Sequence, residues 1–276
     1  SAASDVYKRQ GDWSMVNILD RKKTAAQIVA GARNQEKMSA YELINGIFEN
    51  FFELHGDRLS GDDAAIVGGI ATLADKSVTV IATNKGESAQ ERMLTHFGCP
   101  QPSGYRKALR LIRQAEKFGR PVFIFVNTAG AYPGKSAEES GQGEALARNL
   151  LEISEVKVPI ISVIYGEGGS GGALALACGD SVWMVENSMY SVLSPEGFAA
   201  ILWKDSKRAD EAAEVMQLTP EKLLAQKVIE GIIPESHSHK RVCRAIKKII
   251  EQEMKELMSL SPNELLVKRY ERFRKF

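Results

Sequence analysis

Seven residues, Gly166-Glu167-Gly168-Gly169-Ser170-Gly171-Gly172, contain five glycines and separate an apolar run, Val158 to Tyr165, from the helix-forming stretch Ala173-Leu174-Ala175-Leu176-Ala177. Glycine removes side chains, so the backbone can turn sharply and bring its N–H groups within hydrogen-bond distance of a bound group. A helix opening directly afterwards leaves its first N–H groups without internal partners, aimed at the same spot. That arrangement suits a negative charge, either a phosphate or an oxyanion that develops during a reaction. A second glycine-bearing loop, Ala129-Gly130-Ala131-Tyr132-Pro133-Gly134, also follows a strand-like run and precedes a helical one. In a parallel sheet both loops emerge at the carboxyl ends of neighbouring strands, where ligands bind. Donors of Gly130, Ala131 and Gly134 would then converge with those of Gly168, Gly169, Gly171 and Gly172 on one ligand.

Three familiar motifs overlap these loops, and each is incomplete. Gly166, Gly168 and Gly171 satisfy G-x-G-x-x-G, with Glu186 where a ribose-binding acid would stand. The helical stretch before Gly179-Asp180 is too short for a dinucleotide-fold crossover, and the unit is third or later in the sheet instead of first. The same residues place Ser170 in G-x-S-x-G, but the only downstream histidines, His237 and His239, lie in a polar Ser-His-Ser-His stretch that reads as an exposed loop. Gly130 to Ser136 ends in G-K-S like a P-loop, yet has three residues between its glycines where a P-loop has four. Pro133 also removes a backbone donor.

Charged side chains give no acid–base constellation. Glu167 reads as a residue near a helix start, and Ser170 as one small enough to pack. Glu138 and Glu139 favour the dipole of the helix they open. Arg106, Arg110, Arg113 and Lys117 share a helical face, which together with Lys85 and Arg92 could hold phosphates. His55 and His96 read as structural. The basic tail from Lys268-Arg269 to Lys275 reads as a solvated amphipathic helix or a subunit contact.

The elements that must position these residues follow from pattern. Thr24 to Asn34 reads as a short helix, and Ser39-Ala40-Tyr41-Glu42 is a capping box followed by Leu43, Ile47 and Phe51 at helical spacing. Ala64 to Leu73 and Val78 to Thr83 read as strands around the hairpin-like break 74–77. Residues 84–102 lack a period; helix 103–118 stops at Gly119. Strand 121–127, helix 137–153, strand 158–165 and strand 181–186 complete a β-loop-α alternation that predicts an α/β protein with a parallel sheet. Ser194-Pro195 and Thr219-Pro220 start helices, a long helix spans 240–260, and Ser261-Pro262 opens the last. The expected division is a leader and N-terminal helix (1–38), a main domain (39–260) and a basic C-terminal helix (261–276).

Over 276 residues, 44% hydrophobic content suffices for a sizeable core, and a net charge of +1 gives no global case for nucleic acid or an anionic membrane surface. Three scattered cysteines (Cys99, Cys178, Cys243) fit a reducing compartment and argue against a disulfide scaffold or a cysteine-built zinc site. With no spanning segment or signal peptide in view, the chain reads as cytoplasmic.

Several long motifs, in order, resemble the α subunit of the bacterial acetyl-CoA carboxylase carboxyltransferase: FFELHGDR (51–58), FGCPQPSGYRKALRL (97–111), TAGAYPG (128–134), AEE (137–139), GQGEALARNL (141–150), GEGGSGGALALACGD (166–180) and YSVLSPEGFAAILWKD (190–205). Ala129 stands where the family usually has proline. The resemblance implies a ClpP/crotonase-like fold of repeated ββα units. It implies transfer of a carboxyl group from carboxybiotin to acetyl-CoA, giving malonyl-CoA for fatty-acid synthesis. It further implies a zinc-ribbon β subunit in an α2β2 core, with no metal in this chain. Biotin would arrive on a carrier protein, and a separate biotin carboxylase would use ATP. Gly168 and Gly169 are then assigned to the oxyanion hole on the biotin side. Gly130, Ala131, Gly134, Gly171 and Gly172 are substrate-binding candidates, and Lys85, Arg92, Arg106 and Arg110 are candidate contacts for coenzyme A or the carrier.

Overall fold

The computed structural model describes residues 23–276; the expected leader at the start of the chain lies outside them. Among the described residues eight strands form one mixed sheet: β1 (Glu49–Glu53), β2 (Ile66–Leu73), β3 (Lys76–Thr83), β4 (Val122–Thr128), β5 (Ile160–Gly169), β6 (Ser181–Val185), β7 (Met189–Ser191) and β8 (Gly231–Ile233). Their spatial order is β1-β2-β3-β4-β5-β6-β8, with β7 laid against the end of β5. β1, β2 and β3 run antiparallel, and every later pairing is parallel.

Around the sheet stand α1 (Ala25–Ala32), α2 (Ala40–Ile47), α3 (Ala89–Leu94), α4 (Pro102–Lys117), α5 (Lys135–Glu139), α6 (Gln142–Glu155), α7 (Ser170–Leu174), α8 (Pro195–Trp203), α9 (Ala209–Val215), α10 (Pro220–Ala225), α11 (His239–Leu257) and α12 (Pro262–Phe273). α4 and α6 cover one face of the sheet, where Tyr105, Leu111, Ile153, Ile124 and Ile164 share a core. α2 and α11 cover the other, packing Leu43, Ile44, Ile246 and Ile250 on Phe123, Phe125 and Val163. β4 and β5 are buried along their whole length, as central parallel strands with both faces covered must be. No helix among the described residues is long and apolar enough to cross a membrane.

The capping box at Ser39 forms as the sequence predicts, and Thr24 makes a second one with Gln27. The helix from Ser39 stops at Ile47, however, and Phe51 falls in edge strand β1. Leu43, Ile47 and Phe51 keep helical spacing, but Phe48 turns extended and Asn50 takes φ +52°. The β2–β3 hairpin closes through Ala74 and Asp75, both at positive φ (47° and 59°), as a tight two-residue turn requires. The segment 84–102 is not structureless, since it holds α3 and a short turn at His96–Gly98. The helix predicted over 137–153 is two helices, broken where Gly141 takes φ +86°.

The loop after β1 is tied to α4. Asp57 Oδ1 accepts the N–H groups of Leu59, Ser60 and Gly61 at 2.8, 2.8 and 2.9 Å, while Lys107 Nζ reaches Asp62 at 2.6 Å. Burial pushes the Asp57 carboxyl up, but the N–H donors of Gly61, Leu59 and Ser60 outweigh it and hold the pKa at about 2, below the ordinary 3.8. The sign follows from linkage: a carboxylate lowered in the folded state stabilises it above the ordinary pKa, and that stability is lost as pH falls through the folded value. Urea unfolding between pH 5 and pH 2 should therefore show wild-type stability declining below about pH 4 through this group. Asp57→Asn should be less stable at neutral pH and decline less steeply, and an unchanged pH slope would refute the assignment.

Candidate active site

β4 and β5 lie side by side and parallel, from Val122↔Ile160 to Thr128↔Gly168, with one irregularity between Val126 and Thr128. Both glycine segments therefore emerge at the same edge, as expected. Their backbones touch. A Cβ on Gly169 would overlap the Ala129 carbonyl and lie 3.0 Å from Gly130 N, and one on Gly172 would overlap Ala131 N and lie 2.6 Å from Tyr105 Oη. A Cβ on Gly168 would meet Tyr190 Cδ2 at 3.0 Å and Met189 O at 3.1 Å, and one on Gly166 would overlap the Asn127 amide. Gly171 alone faces open space, with nothing within 4 Å.

These contacts correct the expected reason for the glycines. Gly166 to Gly169 are not a turn; they continue β5, paired to Thr128 on one side and to Met189, Tyr190 and Ser191 of β7 on the other. No glycine between 166 and 172 has positive φ, and the sharp strand-to-helix turn falls on Ser170, at φ +54°. The glycines allow close backbone approach and leave the turning to serine. α7 is also only one turn long, so anion stabilisation rests on individual N–H groups and little on a helix dipole.

In the second loop, Gly130 takes φ +143° and donates its N–H to Thr128 Oγ1 at 3.1 Å, while that hydroxyl donates to Gly130 O at 2.9 Å. Its N–H is thus engaged, whereas Ala131 N–H finds no acceptor among the described residues. Gly134 lies under the Tyr132 ring, which packs on His96 at 4.3 Å.

Glu167 is not at a helix start. It sits inside β5, 7% exposed, with Lys85 Nζ at 2.6 Å and Arg33 Nε at 2.9 Å. Arg33 also forks onto Glu196 at 2.6 and 3.1 Å, and the Glu167 N–H donates to Asn127 Oδ1 at 3.0 Å. Burial raises the Glu167 carboxyl, but the cations of Lys85 and Arg33 outweigh it and hold it below the usual range. Sequence reasoning overlooked Arg33 and Glu196. The available signal was a carboxylate within a buried run, which requires a charged partner.

Lys85 and Arg92 meet at a cleft of about 580 Å³ that also takes in Arg33, Phe97, Ala129 and Glu167. Arg106 and Arg110 are not brought there. Arg106 donates to Ser140 O and to Ser60 Oγ, and Arg110 to Gly56 O at 2.9 Å and His55 O at 3.3 Å, fastening α4 to the loop after β1. Glu138 and Glu139 are exposed on α5. Ser170 is exposed and makes no hydrogen bond to a histidine among the described residues; His239 is engaged by Glu36 O at 3.0 Å. The basic tail is not merely solvated: Arg269 and Arg272 of α12 turn inward, the former onto Asp180 and the latter onto Glu230.

Residues 14–276 match the family described as acetyl co-enzyme A carboxylase carboxyltransferase-like. The chain is 57% identical to the acetyl-coenzyme A carboxylase carboxyl transferase subunit alpha of Streptococcus sanguinis, over 91% of this chain and 98% of that one. It is 56% identical to the protein of the same name from Streptococcus pneumoniae, over 91% and 99%. Among solved structures it superposes on a chain of transcarboxylase 12S with a TM-score of 0.65 at 19% identity, covering 83% of this chain and 45% of that one. The β subunit of Pseudomonas aeruginosa geranyl-CoA carboxylase gives 0.62 at 16% identity, again over 83% and 45%. The chain thus spans about half the length of these solved structures, and the likeness establishes a crotonase-like fold.

Proposed function

Because the chain belongs to the acetyl-CoA carboxylase carboxyltransferase family, and is thereby a biotin-dependent carboxyltransferase subunit, we propose that it transfers a carboxyl group from carboxybiotin to acetyl-CoA, giving malonyl-CoA, with backbone N–H groups as its catalytic donors. The observation that carries this reading is the meeting of the two segments, Gly169 on Ala129 and Gly172 on Ala131. Fixed, uncharged donors at a buried strand end suit a developing oxyanion, because they need no reorganisation as charge appears.

The residues fit biotin's ureido group: the donors are neutral, and Gly171 leaves open space beside them. Gly168 and Gly169 N–H would hold the ureido oxygen. Ala131 and Gly134 are the second-loop candidates, with Gly130 shaping that loop through Thr128. Carboxybiotin, brought by a carrier protein, would supply the carboxyl group, and the biotin left behind would supply the base for the acetyl-CoA α-proton. On this reading no side-chain base is needed; Glu138 and Glu139 stand exposed on α5. Arg92, at the cleft it shares with Lys85, is the remaining candidate contact for coenzyme A phosphates or the carrier; Lys85 is taken up by Glu167, and Arg106 and Arg110 hold the loop after β1. The zinc-ribbon β subunit would complete the thioester half of the site in an α2β2 core, with ATP consumed by a separate biotin carboxylase.

Co-expression with a zinc-ribbon β subunit, followed by an assay of malonyl-CoA decarboxylation with free biotin, tests the proposal. The pair is expected to turn over and the purified chain alone to be inactive. A correctly assembled pair without activity would overturn it.

A further inference from the structure

Two segments distant in sequence grip one side chain, and a third braces the grip. Glu167 takes Lys85 from the segment after β3 and Arg33 from just beyond α1, and Arg33 is braced in turn by Glu196 in the first turn of α8. The main chain at Glu167 is held separately, by Asn127 Oδ1 at the end of β4. Buried ion pairs contribute little stability compared with apolar residues of the same size. A glutamate in a strand that otherwise reads Ile-Ile-Ser-Val-Ile-Tyr-Gly is therefore poorly explained by stability alone. Its place in the chain supplies the explanation, since it directly precedes Gly168 and Gly169, the two residues assigned as donors, and neither has a side chain that could anchor it.

We propose that Glu167 is a positioning residue. Its carboxylate, clamped by Lys85 and Arg33, fixes the end of β5 so that the Gly168 and Gly169 N–H groups keep their aim while charge develops. The clamp does for the glycines what packed side chains do for other residues. This inference rests on the proposed carboxyl transfer at those donors.

The test uses the assembled pair with the β subunit and reads kcat and KM separately, normalised to correctly assembled complex. Glu167→Gln should lower kcat about 10- to 100-fold, the scale set by sub-ångström misplacement of catalytic groups, while KM for malonyl-CoA changes less than about two-fold. Lys85→Met, at a side chain 30% exposed, tests the same clamp where Glu167→Gln does not fold. It should lower kcat comparably, and the double variant should be no worse than the more damaged single. Glu196→Gln removes the brace and leaves the clamp, and should keep kcat within about two-fold. An active wild-type pair in which Glu167→Gln keeps full kcat per assembled complex, losing thermal stability only, would overturn the positioning role and leave the carboxyltransferase reading intact. An inactive wild-type pair would instead strike at that reading.

Discussion

Gly169→Ala is expected to lower carboxyl transfer by at least about 10²- to 10³-fold, the loss that accompanies removal of one oxyanion-hole donor. The added methyl group would overlap the Ala129 carbonyl, a backbone group that cannot rotate away, and would crowd Gly130 N at 3.0 Å. Relief requires β5 and the β4 loop to part, which displaces both sets of donors at once. Gly168→Ala is the informative comparison. Its methyl meets the Tyr190 ring edge and Met189 O at 3.0 and 3.1 Å, contacts that a few tenths of an ångström relieve, so the loss should be smaller. Steady-state turnover of the pair, with assembly verified by gel filtration, measures both. Near-wild-type turnover of an assembled Gly169→Ala complex would remove these N–H groups from the mechanism.

Arg269→Ala should be the most damaging change for stability, at about 3–5 kcal/mol, the range seen when one partner of a buried ion pair is removed. Arg269 is 1% exposed and donates to Asp180 at 2.7 and 2.8 Å and to the carbonyls of Ile153, Val156 and Val158 at 2.8, 2.6 and 3.1 Å. One planar fork thus satisfies a carboxylate and the loop leading into β5, geometry that a lysine ammonium cannot reproduce. Arg269→Lys should recover only a minor part of the loss. Adding Asp180→Asn to Arg269→Ala should cost less than the sum of the two singles, because the first change leaves a buried carboxylate unpaired. Equilibrium urea unfolding decides the matter, and a loss under about 1 kcal/mol would place Arg269 among ordinary surface charges.

The central strands were legible because apolar runs bounded by turn residues carry enough pattern to read: β2 to β6 stand within a few residues of expectation. β7 and β8, at three residues each, are too short to show a period, and they exist because a neighbouring strand end offers partners. Phe51 misled because a residue four beyond Ile47 fits a helix as well as an edge strand, and only pairing with β2 decides between them. Convergence of the two glycine segments was readable from β-loop-α order alone. The conformation of those glycines was not, because composition reports freedom without showing how it is used. Glu167 and Arg269 were misread for one reason: each is answered by charges 82 to 134 residues away for the first and 89 for the second, and local pattern cannot reveal them.

The grip on Glu167 also sets an order of events during folding. Glycines 166–172 and both neighbouring strands form a nearly contiguous block, yet the carboxylate among them is secured by residues 134 and 82 positions earlier, and its brace reaches from Arg33 across 163 positions to Glu196. Loops of that span close late, because their entropy must be paid before the contact returns anything. A nascent chain that has emerged as far as Gly172 already carries every donor glycine and both cations, but Glu196 is still inside the ribosome. Strands β1 to β5 can pair at that stage; β6, β7 and β8, and the Glu196 brace on Arg33, come only later.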